Sequence, residues 1–225
     1  FHMLLTDSIS MTTRDSVQVL QIDNALAKAE ISLFGGHLLS FIPKHDHRER
    51  LWVSDKAIFD GKKAIRGGIP ICWPWFGDHS CNTDLASHGY VRTQTWQVLN
   101  SEETNLGTTI SLKPLTSAGD GFEYHAQLIL VVHIGHQLSI QLRTTNLGEE
   151  PFTYNCALHT YFFISNINQC ELLGLSAQYT DKNRDYQMFG TPQPYRFFEE
   201  TDRVHLQQPR NLTIIDEQSK TDILS

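Results

Sequence analysis

The chain has 225 residues, an ordinary apolar fraction of 40%, and 18 basic against 25 acidic residues for a formal charge of −7. That length can bury a sizeable core and suits one large domain better than two small ones, and the negative charge argues against a nucleic-acid partner or an anionic membrane surface. Cys72, Cys81, Cys156 and Cys170 lack C-x-x-C spacing, and no leader-like or bilayer-long apolar run is visible, so the expected location is a reducing cytoplasm.

With Phe1-His2 left out of the fold argument, residues 17 to 53 read as short extended segments: Val17–Ile22, Ala29–Phe34, His37–Phe41 and Arg50–Val53, with Gly35-Gly36 as a hairpin turn. Pro43 to Arg48 is a polar loop. Its His45-Asp46-His47 cluster is a poor metal site, because neighbours in an extended chain point to opposite faces and three or four convergent ligands are needed. No metal site is expected.

The stretch from Ala64 to Gly77, followed by Ser87 to Arg92, fits neither a helical nor an alternating period and is rich in Gly, Pro and Trp. It is too apolar to remain disordered, so it reads as an ordered wall of a site. Its cations, Arg66 and Arg92, carry planar forks suited to phosphate or carboxylate. Each could equally be a surface residue or pair with an acid such as Asp78 or Asp84. Gly67 and Gly68 allow close backbone approach to a ligand, or simply a tight turn. Trp73, Trp75 and Phe76 could stack on a sugar ring or plug the core.

Strands resume at Thr95–Leu99 and Thr108–Leu112. Phe122–Val132 and Gln137–Arg143 alternate apolar and polar residues and predict a long antiparallel hairpin turning near Gly135-His136, with His133 and His136 as solvated turn residues. Pro151–Ser165 predicts one or two strands. Segments at 169–175, 195–198, 203–206 and 211–216 complete the array. The expected fold is all-β, a large antiparallel β-sandwich in a single domain over residues 3–225.

The runs Ile65-Arg-Gly-Gly-Ile-Pro-Ile-Cys-Trp-Pro-Trp-Phe-Gly77, His88-Gly-Tyr-Val-Arg92, Leu158-His-Thr-Tyr-Phe162 and Glu200-Thr-Asp-Arg-Val204 resemble the hexose-6-phosphate mutarotases (glucose-6-phosphate 1-epimerases), a branch of the aldose 1-epimerase family. The resemblance covers essentially the whole chain and implies the galactose-mutarotase-like supersandwich, with sugar bound on a concave sheet face. It implies a small-molecule hexose phosphate as partner, with no cofactor. The oligomeric state is left open, with a monomer as the default.

Mutarotation opens the hemiacetal ring and closes it on the other face of C1. It needs a base for the anomeric hydroxyl and an acid for the ring oxygen, and imidazole, with an ordinary pKa of ~6.5, suits the second task. By residue type alone, His159 and His88 could be structural histidines. The resemblance implies that His159 protonates the ring oxygen, that His88 and Asp202 bind the sugar, and that Arg66 and Arg92 bind substrate, holding the 6-phosphate. Ser87 stands where relatives often carry a substrate-binding glutamine, so its shorter hydroxyl would lose a direct contact or act through a water. The general base in the family is a late glutamate with no counterpart before Ser225, so the chain is expected to lack the family's C-terminal part. The alternatives are a non-catalytic sugar-phosphate binding module, or a mutarotase for neutral sugars in which both arginines are structural.

Overall fold

A computed structural model describes residues 5–207 and 210–224, which divide into two compact units, Phe1–Phe162 and Phe163–Ser225. In the first unit, β1 (Ile9–Arg14), β2 (Val17–Asp23), β3 (Ala27–Ser32) and β4 (His37–Pro43) form an antiparallel sheet in chain order. After a two-residue strand β5 (Ile71–Cys72), a second antiparallel sheet follows, also in chain order: β6 (Trp96–Thr104), β7 (Gly107–Pro114), β8 (Ala126–Ile134) and β9 (Leu138–Asn146). Strand β10 (Ala157–Leu158) pairs back onto β5.

Period-two alternation builds the core between these sheets. Leu20, Ile22, Ile31 and Phe41 from the first sheet share one buried cluster with Ile110, Leu112, Leu128, Leu130 and Val132 from the second. Each such side chain contributes roughly 1.5–3 kcal/mol on burial, making this cluster the main source of stability in the unit. A polar tie spans the two sheets. Asn24, buried in the β2–β3 turn, donates from Nδ2 to Thr108 Oγ1 and the Ile134 carbonyl and accepts the Leu26 and Ala27 amides on Oδ1.

The other face of the first sheet is also covered. Val17, Val19, Phe34 and Leu39 pack with Phe59 and Ile65 from the loop that leads into the central stretch. Ile65 thereby anchors the chain next to Arg66 against the sheet.

In the second unit, β11 (Glu171–Leu173), β12 (Gln178–Asp181), β13 (Gln187–Gly190), β14 (Tyr195–Arg196), β15 (Arg203–His205), β16 (Asn211–Asp216) and β17 (Ser219–Leu224) form two antiparallel sheets, ordered β14-β11-β16-β17 and β13-β12-β15. Arg203 is its electrostatic centre, donating from Nε to buried Asp181 at 3.0 Å and from Nη1 to the Tyr195 hydroxyl at 2.9 Å. Among the described residues no helix is long and apolar enough to cross a membrane.

The all-β reading and the long β8–β9 hairpin hold, and several local expectations change. Arg50–Val53 is no strand: Leu51 and Val53 make single bridges to Phe162 and Gly67. The Glu49 carboxylate takes the amides of Phe41, Arg50 and Leu51, which satisfies this backbone without a ladder. From Pro151–Ser165 only Ala157–Leu158 pairs as a strand, together with the Phe162 bridge. His133 is not a turn residue. It lies in β8, with Nδ1 at 2.9 Å from Thr109 Oγ1 and Nε2 at 3.1 Å from the Leu106 carbonyl.

Candidate active site

The central stretch folds as a sequence of short pairings. Ile69 donates its amide to the Leu38 carbonyl at the edge of β4, and on its other side the stretch runs antiparallel to residues 157–161. Along that second ladder the His159 amide donates to the Pro70 carbonyl at 3.0 Å and the Tyr161 amide to the Gly68 carbonyl at 2.9 Å. The strand carrying His159 is therefore registered on the segment carrying Arg66.

A second pairing places His88. Residues 73–77 and 86–89 are joined by the Trp73–Gly89 bridge, by Trp75 Nε1 donating to the Ala86 carbonyl, and by the His88 amide donating to the Gly77 carbonyl at 2.7 Å. Gly89 sits at φ +72°, where an added Cβ would lie 2.0 Å from the Trp73 carbonyl oxygen. Only glycine allows this approach. The Gly77 amide donates to His88 Nδ1 at 3.0 Å, so the neutral ring carries its proton on Nε2.

These ladders bring His88 and His159 together, with ring centroids 6.1 Å apart and Phe76 at 4.9 Å and 6.0 Å from them respectively. The three central aromatics thus divide. Trp73 (0% exposed) and Trp75 are core, while Phe76 is 47% exposed and presents a ring beside both imidazoles. Tyr161, its ring 5.1 Å from His159, and Trp52, 6.0 Å from Tyr161, extend this aromatic surface. The sequence reading passed over both; the only signal was their place beside the ladder residues. Cys72 is packing rather than a nucleophile: it is fully buried, and burial pushes its thiol above the usual range.

The cations differ in their support. Arg66 is exposed, and among the described residues no carboxylate lies within ion-pair distance of it. Arg92 donates from Nη2 to the Ser87 carbonyl at 2.8 Å, while its buried Nε has no acceptor among the described residues. Neither pairs with Asp78 or Asp84. Asp78 instead accepts the Ser87 hydroxyl, so Ser87 holds two parts of the wall: Asp78 by its side chain and Arg92 by its carbonyl.

The first unit thus assembles Ser87, His88, Arg92 and His159, with Arg66 two residues along from the Gly68 that bonds the His159 strand. Asp202 belongs to the second unit. There its carboxylate meets Lys182 Nζ at 2.8 Å and its carbonyl accepts the Lys182 amide. Among the described residues no group of three or more His, Cys, Asp or Glu side chains could hold a metal ion.

The first unit thus sets two adjacent imidazoles and two arginines on a β scaffold. The profile of the aldose 1-epimerase family matches residues 18–224, and the chain belongs to that family. It is 35% identical to a Cenchrus ciliaris protein provisionally named glucose-6-phosphate 1-epimerase, over 85% of this chain and 61% of the relative's length. An Escherichia coli protein of the same provisional name is 29% identical over 96% of this chain and 72% of its own length. A Salmonella typhimurium crystal structure, described as a provisional mutarotase, superposes with a TM-score of 0.86 at 30% identity, covering 95% of this chain and 72% of that one. The chain therefore spans about three fifths of the first relative, and the fold is the galactose-mutarotase-like one.

Proposed function

We propose that the protein is a hexose-6-phosphate 1-epimerase that interconverts the α and β anomers of glucose-6-phosphate and similar sugar phosphates. The observation that carries this reading is the pairing of His88 with His159 beside the exposed face of Phe76, in a wall whose two arginines have no carboxylate partner among the described residues. A pyranose has an apolar face for Phe76 and hydroxyls for the imidazoles, and its 6-phosphate supplies the anion that Arg66 and Arg92 lack.

His159 acts as the acid. It protonates the ring oxygen while a base removes the proton of the anomeric hydroxyl, and the two exchange roles as the ring recloses. His88, with Nδ1 occupied by the Gly77 amide, offers Nε2–H to a sugar oxygen. Asp202, in the second unit and paired there with Lys182, has its hydroxyl-binding role from the family resemblance alone. Ser87 acts by holding Arg92 and Asp78, and its hydroxyl adds a contact through a water. The names of the Cenchrus and Escherichia relatives support the phosphorylated substrate.

The test follows the optical rotation of freshly dissolved α-glucose-6-phosphate, with unphosphorylated glucose as control. The protein should accelerate relaxation of the phosphate ester alone, and His159→Asn should slow it by about 10²- to 10⁴-fold with an unchanged circular dichroism spectrum. Undiminished turnover in that variant would remove His159 from the chemistry. Saturable binding of the ester without acceleration would instead favour a binding module.

A further inference from the structure

The segment Arg66–Gly68 is held by four hydrogen bonds. Arg66 accepts the Ser54 amide at 3.0 Å, Gly68 donates to the Trp52 carbonyl at 2.7 Å, and the Gly68 carbonyl accepts the Tyr161 amide at 2.9 Å. The fourth comes from a side chain: His37 Nε2 lies 2.6 Å from the Gly67 carbonyl oxygen. A carbonyl can only accept, so His37 is the donor and its tautomer is fixed as Nε2–H.

His37 opens β4 and is only 1% exposed. Period-two alternation puts it on the same side of β4 as Leu39, whose cluster includes Ile65, the neighbour of Arg66. Gly68 lies directly over the imidazole: a Cβ there would come within 2.9 Å of His37 Nε2 and 2.3 Å of the Leu38 carbonyl oxygen. The ring is kept neutral, its pKa lowered to about 4 by burial and further by the charge of Arg92, against the opposing pull of the Gly67 carbonyl. Neither His37 nor its bond belongs to the sugar-facing wall, yet both arginines of that wall converge on it, Arg66 through the backbone and Arg92 through its field.

We infer that His37 is a positioning residue of the substrate site, whose Nε2–H, given to the Gly67 carbonyl, sets where Arg66 stands and, through Gly68 and Tyr161, where the His159 strand stands. This rests on the reading of that site as a hexose-phosphate site. Orienting groups behind a site commonly matter nearly as much as the groups that touch the ligand. Without the donor, the Gly67 carbonyl is a buried acceptor with no partner, and the segment must shift to find one.

Three variants test the inference. His37→Phe removes the donor at similar volume. His37→Gln restores an N–H at the position of Nε2, and His37→Asn, whose amide ends short of that position, replaces the phenylalanine variant should that one not fold. Amide hydrogen exchange at Gly68 and Tyr161 should accelerate about tenfold or more in the donor-less variant while Leu130, in β8, keeps its protection, and His37→Gln should return both amides to near the parent rate. The dissociation constant of glucose-6-phosphate, measured by calorimetry, should rise about tenfold or more without the donor and recover to within about threefold with Gln. Unchanged local exchange and affinity in the donor-less variant would overturn the inference, as would a Gln variant no better than it. If the parent protein itself fails to bind glucose-6-phosphate, the substrate reading falls, and the exchange rates alone decide whether His37 positions the segment.

Discussion

Arg66 and Arg92 are prepared differently for an anion. Arg92 has its guanidinium fixed by the Ser87 carbonyl, with one buried N–H that meets no acceptor among the described residues, whereas Arg66 is exposed and reaches from a backbone that glycine and His37 hold in place. A preformed donor costs little ordering entropy on binding, and an exposed arginine must be immobilised first. Removing Arg66 should therefore act on affinity rather than on the fold. Arg66→Ala is expected to raise the dissociation constant of glucose-6-phosphate about 10- to 100-fold, with Arg66→Lys recovering only part of it because a point charge replaces a bidentate fork. Equal affinity of the alanine variant and the parent would assign Arg66 to the surface and turn attention to neutral sugars.

At the scale of elements, the site is a set of one- and two-residue pairings, and its tightest point is the crossing of Trp73 and Gly89. Any Cβ at Gly89 meets the Trp73 carbonyl and must also adopt φ +72°. Gly89→Ala should destabilise the protein by about 2 kcal/mol or more in urea unfolding, with loss of His88 from its place beside His159. A variant of parental stability would show that the crossing yields easily. The same pattern explains what the sequence could and could not reveal. The β8–β9 hairpin was legible because Ala126, Leu128, Leu130, Val132 and Ile134 all turn inward over nine residues. Strand β1 was missed because five of its six residues are exposed, which leaves no alternation to detect. Strands β12 and β17 place polar residues on both faces, and β13 is only four residues long, so none shows a clear alternation. Residues 64–77 and 87–92 read as a site wall from composition, but their partners, Trp52, Tyr161 and His37, are fixed by tertiary pairing that no local period encodes. His159, His88, Arg66 and Arg92 were reached through short motifs, whereas the core places of Trp73 and Trp75 and the bond from Ser87 to Asp78 needed coordinates.

For the whole molecule, the buried histidine also sets the response to acid. In the native protein His37 has a pKa of about 4, below the ordinary 6.5, with burial as the main cause. Between those values the unfolded chain binds a proton that the folded chain does not, so stability is complete above 6.5 and is lost as pH falls toward 4, by about 3 kcal/mol in all. The carboxylates act lower. Asp23 is held below its usual range by hydrogen bonds from Lys44 and then Lys28, and Asp46 by Arg50 and the Arg48 amide, which outweigh the opposing effect of burial. Their contribution is present above 3.8 and lost only as pH falls through their lowered folded values. His205, also lowered by burial, titrates in the same direction as His37 but belongs to the second unit. Trp52, Trp73, Trp75 and Trp96, the four tryptophans of the chain, all lie in the first unit, so their fluorescence reports the unit that contains His37. Urea midpoints followed by tryptophan emission should fall steadily from pH 7 to pH 4.5 in the parent protein. In His37→Gln, which keeps a donor but cannot titrate, the midpoint should be nearly flat over that interval, whatever its absolute value. An equal slope in both proteins would place the acid sensitivity elsewhere in the first unit and show that His37 is protonated at little cost.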